Sequence, residues 1–257
     1  MGCNLPEKEE KIIKSKHRVQ KHGEVFTPKK IVNMMLDQPG IKEACEDIDA
    51  TFLEPSAGEG AFLIQILERK LKMVKERYNN SFAQYENYSL FALATLYGVE
   101  LLEDNAQRCV MNMYKVFNDF YWQVAEQYGK STRDKIFHAA QFIISMNIVQ
   151  GNFLTQEQAD GQPIIFSEWR RIKTGKTQKT IMVQRTDYSL EEISQGVNHD
   201  SGHIFNNTII EENNQLSLFD FYDDELVEDN KIYKYIPCKI ENVYLEELEE
   251  VNGTNTN

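Results

Sequence analysis

The spacing of apolar residues alternates between two patterns up to about residue 154. Short apolar runs at residues 50–54, 97–101 and 147–150 predict buried strands. The segments around them carry apolar residues at helical spacing, namely residues 61–74, 85–96, 103–127 and 133–145. Because strand and helix alternate, the sequence predicts an α/β fold built on a parallel sheet with right-handed crossovers.

The pattern differs at both ends of this region. Residues 7–22 are rich in Lys and Glu and predict a solvated helix or arm, and Thr27-Pro28 predicts a helix start with Thr27 as N-cap and Pro28 in the first turn. Two apolar runs at 163–169 and 179–185 predict a β-hairpin. From about residue 189 onward the chain is polar and rich in Asn, Asp and Glu.

Charge follows the same division. The formal net charge is -12. Residues 1–30 hold eight Lys or Arg against four Glu, whereas residues 211–257 hold three Lys against thirteen Asp or Glu. We therefore expect a basic N-terminal arm (1–22), a domain (23–190) and a polar acidic tail (191–257). The net negative charge argues against a surface that grips nucleic acid by bulk phosphate neutralisation.

Composition excludes several other classes. The longest apolar run is far shorter than the roughly 20 residues that span a bilayer, and no apolar segment follows the charged N-terminus, so we expect a cytoplasmic protein without a secretory signal. The four cysteines lie far apart without a Cys-x-x-Cys pair, which excludes a zinc ribbon or disulfide framework. His199 and His203 are four residues apart, but a solvated pair is the better reading than a metal site, and no metal is predicted.

The most informative segment is Glu54-Pro55-Ser56-Ala57-Gly58-Glu59-Gly60-Ala61-Phe62, between a predicted strand and a predicted helix. Gly58 and Gly60 allow a tight turn close to a ligand, and the helix start offers unpaired amides. The loop lacks the Gly-Lys-Ser/Thr ending of a phosphate-binding loop and the Gly-x-Gly-x-x-Gly of a nicotinamide site. It predicts a site for a cofactor that contains a nucleoside.

Two further strand ends carry matching chemistry. Glu100 ends the second predicted strand, where a carboxylate can accept both hydroxyls of a ribose. Asn152-Phe153 ends the third and offers an amide and an aromatic face to an adenine. Each feature alone also fits an ordinary turn or loop residue, so the inference depends on their order and spacing.

These residues, together with Gly23-Glu24-Val25-Phe26-Thr27-Pro28, resemble the first half of the adenine-specific (amino) DNA methyltransferases of bacterial restriction-modification systems. The resemblance covers residues 23–154 and implies a Rossmann-like core that binds S-adenosylmethionine (SAM). The Phe-Thr-Pro segment would lie over the methionine part, the glycine loop would bind the cofactor, and the acid after the second strand would bind the ribose. The residues implied at the SAM site are Phe26, Thr27, Pro28, Glu54, Ser56, Gly58, Gly60, Glu100, Asn152 and Phe153. Asn152 departs from the family, which usually has Asp there.

A larger departure lies downstream. The family next presents an Asn/Asp/Ser-Pro-Pro-Tyr/Phe loop, which holds the target amine and stacks on the flipped base. None of the six prolines of this chain is adjacent to another, so the loop is missing and no catalytic residue is assigned. The core is therefore expected to be incomplete, or finished by the 163–185 hairpin.

A second motif occurs in the tail. Gln215-Leu216-Ser217-Leu218-Phe219 resembles the pentapeptide by which bacterial replication and repair proteins dock on the β sliding clamp. A short apolar cluster can equally serve to pack a tail on its own domain. The residues predicted to contact the clamp are Gln215, Leu216, Leu218 and Phe219.

Three roles remain open from the sequence. The chain is part of a split adenine methyltransferase, in which a second methyltransferase or specificity subunit supplies the missing loop and binds DNA. Alternatively it is a non-catalytic SAM-binding or interaction module, recruited through residues 215–219. The third role is an active methyltransferase with another acceptor and an unrecognised catalytic group. The first is preferred, because the chain offers no group to hold the target amine.

Overall fold

The computed structural model describes residues 12–172, 180–205 and 232–251. Its α-helices are α1 Lys16–His22, α2 Lys29–Leu36, α3 Ile41–Cys45, α4 Ala61–Arg77, α5 Phe82–Ala94, α6 Glu103–Gln127, α7 Asp134–Asn147 and α8 Leu190–Gln195. Its strands are β1 Phe52–Glu54, β2 Leu96–Glu100, β3 Ile148–Asn152, β4 Glu157–Gln158, β5 Ile165–Ile172, β6 Met182–Ser189, β7 Ile232–Tyr235, β8 Cys238–Lys239 and β9 Leu248–Val251. A 3-10 helix spans Ile240–Leu245. The predicted α/β class is confirmed.

The main sheet has the strand order β1-β2-β3-β4. β1 and β2 are parallel, with Phe52 opposite Leu96, and β2 and β3 are parallel, with Glu100 opposite Gln150. β4 is antiparallel to β3. Because the three parallel strands end at one edge of the sheet, the loops that follow them lie next to one another, as the sequence pattern requires.

Apolar side chains divide the molecule into two clusters on the two faces of β2. Leu96 belongs to the larger cluster with the buried residues of α4, α5, α6 and α7. Val99 belongs to a smaller cluster with Phe166 of β5 and Leu190 of α8, and Tyr97 packs against it. Alternation along the strand thus turns one face of β2 toward α4–α7 and the other toward Phe166 and Leu190. Trp169 and Val183 of the β5–β6 hairpin belong to the larger cluster.

The hairpin is antiparallel from Ile165 opposite Ser189 to Ile172 opposite Met182, so its type is as predicted. Its strands lie two to four residues further along the chain than the predicted runs, and they form a separate sheet and do not finish the main one. β8 extends it through Met182 opposite Lys239. Ile240 and Val243, which the sequence pattern put in the polar tail, are buried in the main core. Residues 232–251 therefore pack on the domain. Acidic residues in this stretch have basic partners.

One predicted helix start differs from the structure. α2 begins at Lys29, and Pro28 is its N-cap with an extended ψ of 144°. The Pro28 carbonyl accepts hydrogen bonds from the N–H groups of Ile31 and Val32. Thr27 therefore lies outside the helix, where its side chain is available to the neighbouring cavity.

None of the helices in the described ranges is long and apolar enough to cross a membrane.

A buried lysine holds the chain where it enters β1. The Lys70 ammonium donates to the carbonyls of Asp47, at 2.7 Å, and Ala50, at 2.8 Å. It also lies 5.6 Å from the centre of the Phe52 ring. Burial lowers the pKa of Lys70 to about 8 from its ordinary 10.5. The folded protein consequently binds fewer protons than the unfolded chain between these two pH values.

We predict that the free energy of unfolding gains a contribution from Lys70 that rises with pH from about 8 to 10.5. Lys70→Met should be less stable, because two carbonyls lose their donor, and should lack this rise. Urea unfolding from pH 7.5 upward measures both effects, with the exposed Lys72→Met on the same helix as the control. A difference between wild type and Lys70→Met that stays constant with pH would contradict the assignment.

Candidate functional site

The loop between β1 and α4 is held tightly against β2. Gly58 and Gly60 have positive φ angles of 55° and 91°, which favour glycine. The N–H of Ala57 donates to the carbonyl of Val99 at 2.9 Å, and Gly60 is the N-cap of α4, with its carbonyl accepting from Ile64 at 2.8 Å. The loop therefore has a defined shape, and its residues 56 and 58 face an open cavity.

Glu100 supports this loop from behind. Its side chain is buried at the end of β2, and Oε2 accepts a hydrogen bond from the Gly58 N–H at 2.7 Å. Oε1 accepts from the Leu102 N–H at 3.0 Å and from Asn105 Nδ2 at 3.3 Å. A carboxylate has about four lone-pair positions, so Glu100 keeps capacity for one further donor beside the loop.

A cavity of about 660 Å³ opens in front of the loop. This volume lies within the range typical of small-molecule sites, roughly 300–1,000 Å³. Six of the ten residues predicted from the sequence line it: Phe26, Thr27, Pro28, Glu54, Ser56 and Gly58. Chain segments that are about 30 residues apart thus meet around one space.

The charge of the lining is mostly negative. Glu54, Glu59 and Glu68 contribute carboxylates, whereas Lys29 is the basic lining residue among those described and lies 3.6 Å from Glu68 Oε1. Glu54 is half-buried at the end of β1, and its Oε1 accepts from the Ser56 N–H at 3.3 Å. Burial raises the pKa of the Glu54 carboxyl. A cationic ligand group beside Glu54 would offset this desolvation and stabilise the charged form.

Phe26 forms an aromatic wall of the cavity. A Cβ atom built on Gly58 would lie 3.8 Å from two atoms of the Phe26 ring, so ring and loop flank the same space. The Phe26 N–H donates to the carbonyl of Ile12 at 2.8 Å, which brings Ile12 into the lining as well. The ring presents a flat apolar surface to whatever the cavity holds.

Sequence reasoning did not identify the lining residues of α4. Gln65 and Glu68 face the cavity with Ala61, because positions i, i+4 and i+7 share one face of a helix. The sequence signal was weak, because α4 also carries polar and charged residues on its other faces. Asn112 of α6 also lines the cavity, and its Nδ2 donates to the carbonyl of Glu59 at 2.9 Å.

The remaining four predicted residues do not line the cavity. Gly60 is packed against Cys109, and Glu100 lies behind the loop. Asn152 Oδ1 accepts from the Leu154 N–H at 2.9 Å, and Phe153 packs against the smaller apolar cluster. These last two residues are at the end of β3, next to the end of β2 that carries Glu100.

The other two candidate sites are the tail motif and the histidine pair. The residues of the predicted clamp motif, 215–219, lie outside the described residues. The rings of His199 and His203 stack with centroids 3.8 Å apart, and His199 Nε2 is 2.9 Å from Glu192 Oε1. Over the described ranges, no group of three or more His, Cys, Asp or Glu side chains is arranged to hold a metal ion.

Comparison with known proteins gives a family match. The family described as N-6 DNA methylase matches residues 10–147, which contain the Phe26 segment, the glycine loop and Glu100. No curated protein and no solved structure matches the chain. Because the match covers more than half of the sequence, the chain belongs to the N-6 DNA methylase family, and the resemblance seen in its motifs is confirmed.

Gly60 provides a test of the loop geometry. A Cβ atom at Gly60 would lie 2.9 Å from Cys109 Sγ and 3.6 Å from Cys109 Cα, so α6 would have to shift. Gly129 also has a positive φ, of 58°, but a Cβ there meets nothing within 4 Å. We predict that both Gly→Ala changes cost about 1 kcal/mol of backbone strain and that Gly60→Ala costs about 1–3 kcal/mol more from overpacking.

Thermal or urea unfolding measures this difference. Gly60→Ala combined with Cys109→Ala should recover part of the excess loss, because the clashing Sγ atom is removed. Equal losses for Gly60→Ala and Gly129→Ala would show that α4 and α6 do not meet at the loop as described.

Proposed function

We propose that the chain binds SAM in the cavity in front of the glycine loop and is the SAM-binding half of a split N-6 adenine DNA methyltransferase. The observation that carries the proposal is the loop itself, whose Gly58 amide is tied to buried Glu100 beside an acidic, aromatic-walled cavity. Family membership supports methyl transfer as the chemistry, since N-6 DNA methylases act on DNA. A Rossmann-like core is part of the same proposal.

The chemistry of the lining fits SAM. Its α-ammonium would pair with the half-buried Glu54 carboxylate, which gains from a cationic partner. Phe26 offers an aromatic face to the sulfonium side of the methionine part. Bound SAM supplies an activated methyl group. The chain's own residues would orient it.

The nucleoside part would extend toward the ends of β2 and β3. Glu100 retains one acceptor position, so it can take a single ribose hydroxyl without releasing Gly58. Asn152 and Phe153 lie at the neighbouring strand end, where an amide and a ring are suited to an adenine. We include them in the proposed site on this ground.

The absence of the family's amine-holding loop supports dependence on a partner. Amine methylation needs an in-line donor and positioned acceptors for the amine more than it needs a general base. The sequence has no adjacent prolines to build the family's amine-holding loop. Within the described ranges β1 pairs only with β2, so the sheet has an edge at which a strand from another chain could continue it.

Calorimetric titration with SAM and S-adenosylhomocysteine tests the first part of the proposal. Glu54→Gln should weaken SAM binding by roughly tenfold, because a charge-assisted bond to the ammonium is lost. Adding Phe26→Ala to Glu54→Gln should weaken SAM binding further. Glu46→Gln is the matched control, since this exposed carboxylate pairs with Arg77 at the far end of α4. No binding by the unchanged protein, or equal loss in the control, would refute the cavity as the SAM site.

Transfer of a labelled methyl group to unmethylated plasmid DNA tests the second part. We expect no incorporation with the isolated chain and incorporation when the product of the neighbouring methyltransferase or specificity gene is added. Methylation by the isolated chain would exclude the split enzyme and favour an unrecognised catalytic group in this chain.

Recruitment to the sliding clamp is a second candidate role, and it is favoured by the sequence of residues 215–219 alone. We expect the full chain to co-purify with the β sliding clamp. Leu218→Ala with Phe219→Ala should abolish this, because two apolar anchors are removed from the pocket, while SAM binding stays unchanged. Retention of the clamp by the double variant would exclude the motif.

A further inference from the structure

The segment before α2 contributes to the cavity wall at both of its ends. Ile12, Val25 and Phe26 line the cavity, and the hydrogen bond between Ile12 and Phe26 closes residues 12–26 into a loop that contains α1. No residue of α1 is buried. Apolar burial therefore does little to hold this helix on the domain, and polar contacts must supply the attachment.

Those contacts converge on Arg18. Its guanidinium makes a two-point contact with Glu24, at 2.6 and 2.7 Å, and a second with Asp104 of α6, at 2.9 and 3.1 Å. Lys14 adds ion pairs of 2.9 Å to Asp104 and to Glu59 of the glycine loop. The hydrogen bonds from Arg18 lower the pKa of Asp104 to about 2, so the contact keeps its charges throughout the neutral pH range.

Asn105 connects these ion pairs to the loop. Its side chain is buried, and Nδ2 donates to Glu24 Oε1 at 2.7 Å and to Glu100 Oε1 at 3.3 Å. Glu100 in turn accepts from the Gly58 N–H. An unbroken series of hydrogen bonds thus runs from Arg18 on the outside, through Glu24, Asn105 and Glu100, to the backbone of the glycine loop.

We propose that residues 12–26 form a cover over the cavity that Arg18 latches to Asp104, and that Arg18 and Asn105 are positioning residues which couple this cover to the glycine loop. A ligand that needs the ordered loop would bind more tightly when the latch is closed. The identity of that ligand as SAM rests on the proposed function. The coupling between cover and loop does not.

Hydrogen–deuterium exchange of the full-length, ligand-free protein tests the coupling directly. Arg18→Ala should raise exchange in residues 12–26 and also in loop residues 56–60, and Asn105→Ala should raise exchange in 56–60. Arg77→Ala is the matched control, because this arginine pairs with Glu46 at the C-terminal end of α4. Unchanged exchange of residues 56–60 in Arg18→Ala would overturn the coupling, even if the buried Asn105 variant proves poorly folded.

Binding of S-adenosylhomocysteine tests the consequence for the ligand. Arg18→Ala should bind roughly tenfold more weakly, while its Tm stays within about 2 °C of wild type. Raising NaCl to 0.5 M should weaken binding by the wild type and change Arg18→Ala little, because exposed charges are screened.

The outcomes separate the two proposals. A fall in Tm well beyond about 2 °C together with the weaker binding would mark Arg18 as merely structural and overturn its positioning role. Faster loop exchange with unchanged affinity would overturn that role as well. No binding by the wild type, with loop exchange still rising in Arg18→Ala, would overturn the proposed function and support the latch.

Discussion

The hydrogen bond from the Gly58 amide to the buried Glu100 carboxylate organises the site of this protein. It joins the end of β2 to the loop that follows β1, at 2.7 Å, in surroundings with little water. Such charge-assisted bonds are strong, and a buried carboxylate is costly unless donors surround it. Glu100 has three donors, so the loop, the start of α6 and Asn105 are held in one arrangement.

Local electrostatics differ from what the net charge suggests. The protein is acidic overall, and its N-terminal segment is basic. In the structure, Lys14 and Arg18 of that segment bind Asp104, Glu59 and Glu24 of the domain. These basic side chains form ion pairs within the molecule, beside a cavity whose charged lining is mostly carboxylate.

The sequence pattern predicted the long helices and the three parallel strands up to Asn152, because apolar residues recur at helical spacing in the former and form short continuous runs in the latter. The run at 50–54 and the residues after Gly60 are examples, since β1 and α4 occur where predicted. Short elements were missed: α3 has five residues and β4 has two, too few to show a period. The structure makes Pro28 an N-cap and not the first helical residue. The sequence did not predict this, because the extended ψ of Pro28 does not follow from residue type alone.

By itself, the sequence determined the α/β class, the order of the motifs and the family, because these depend on local spacing and residue type. Six of the ten predicted cofactor residues line one cavity. Only the tertiary structure decided that Ile240 and Val243 return to the core, and that Asn105 links Glu24 to Glu100. These contacts join residues that are 81 positions apart in the case of Glu24 and Asn105. Packing of distant segments sets them, and no local pattern records it.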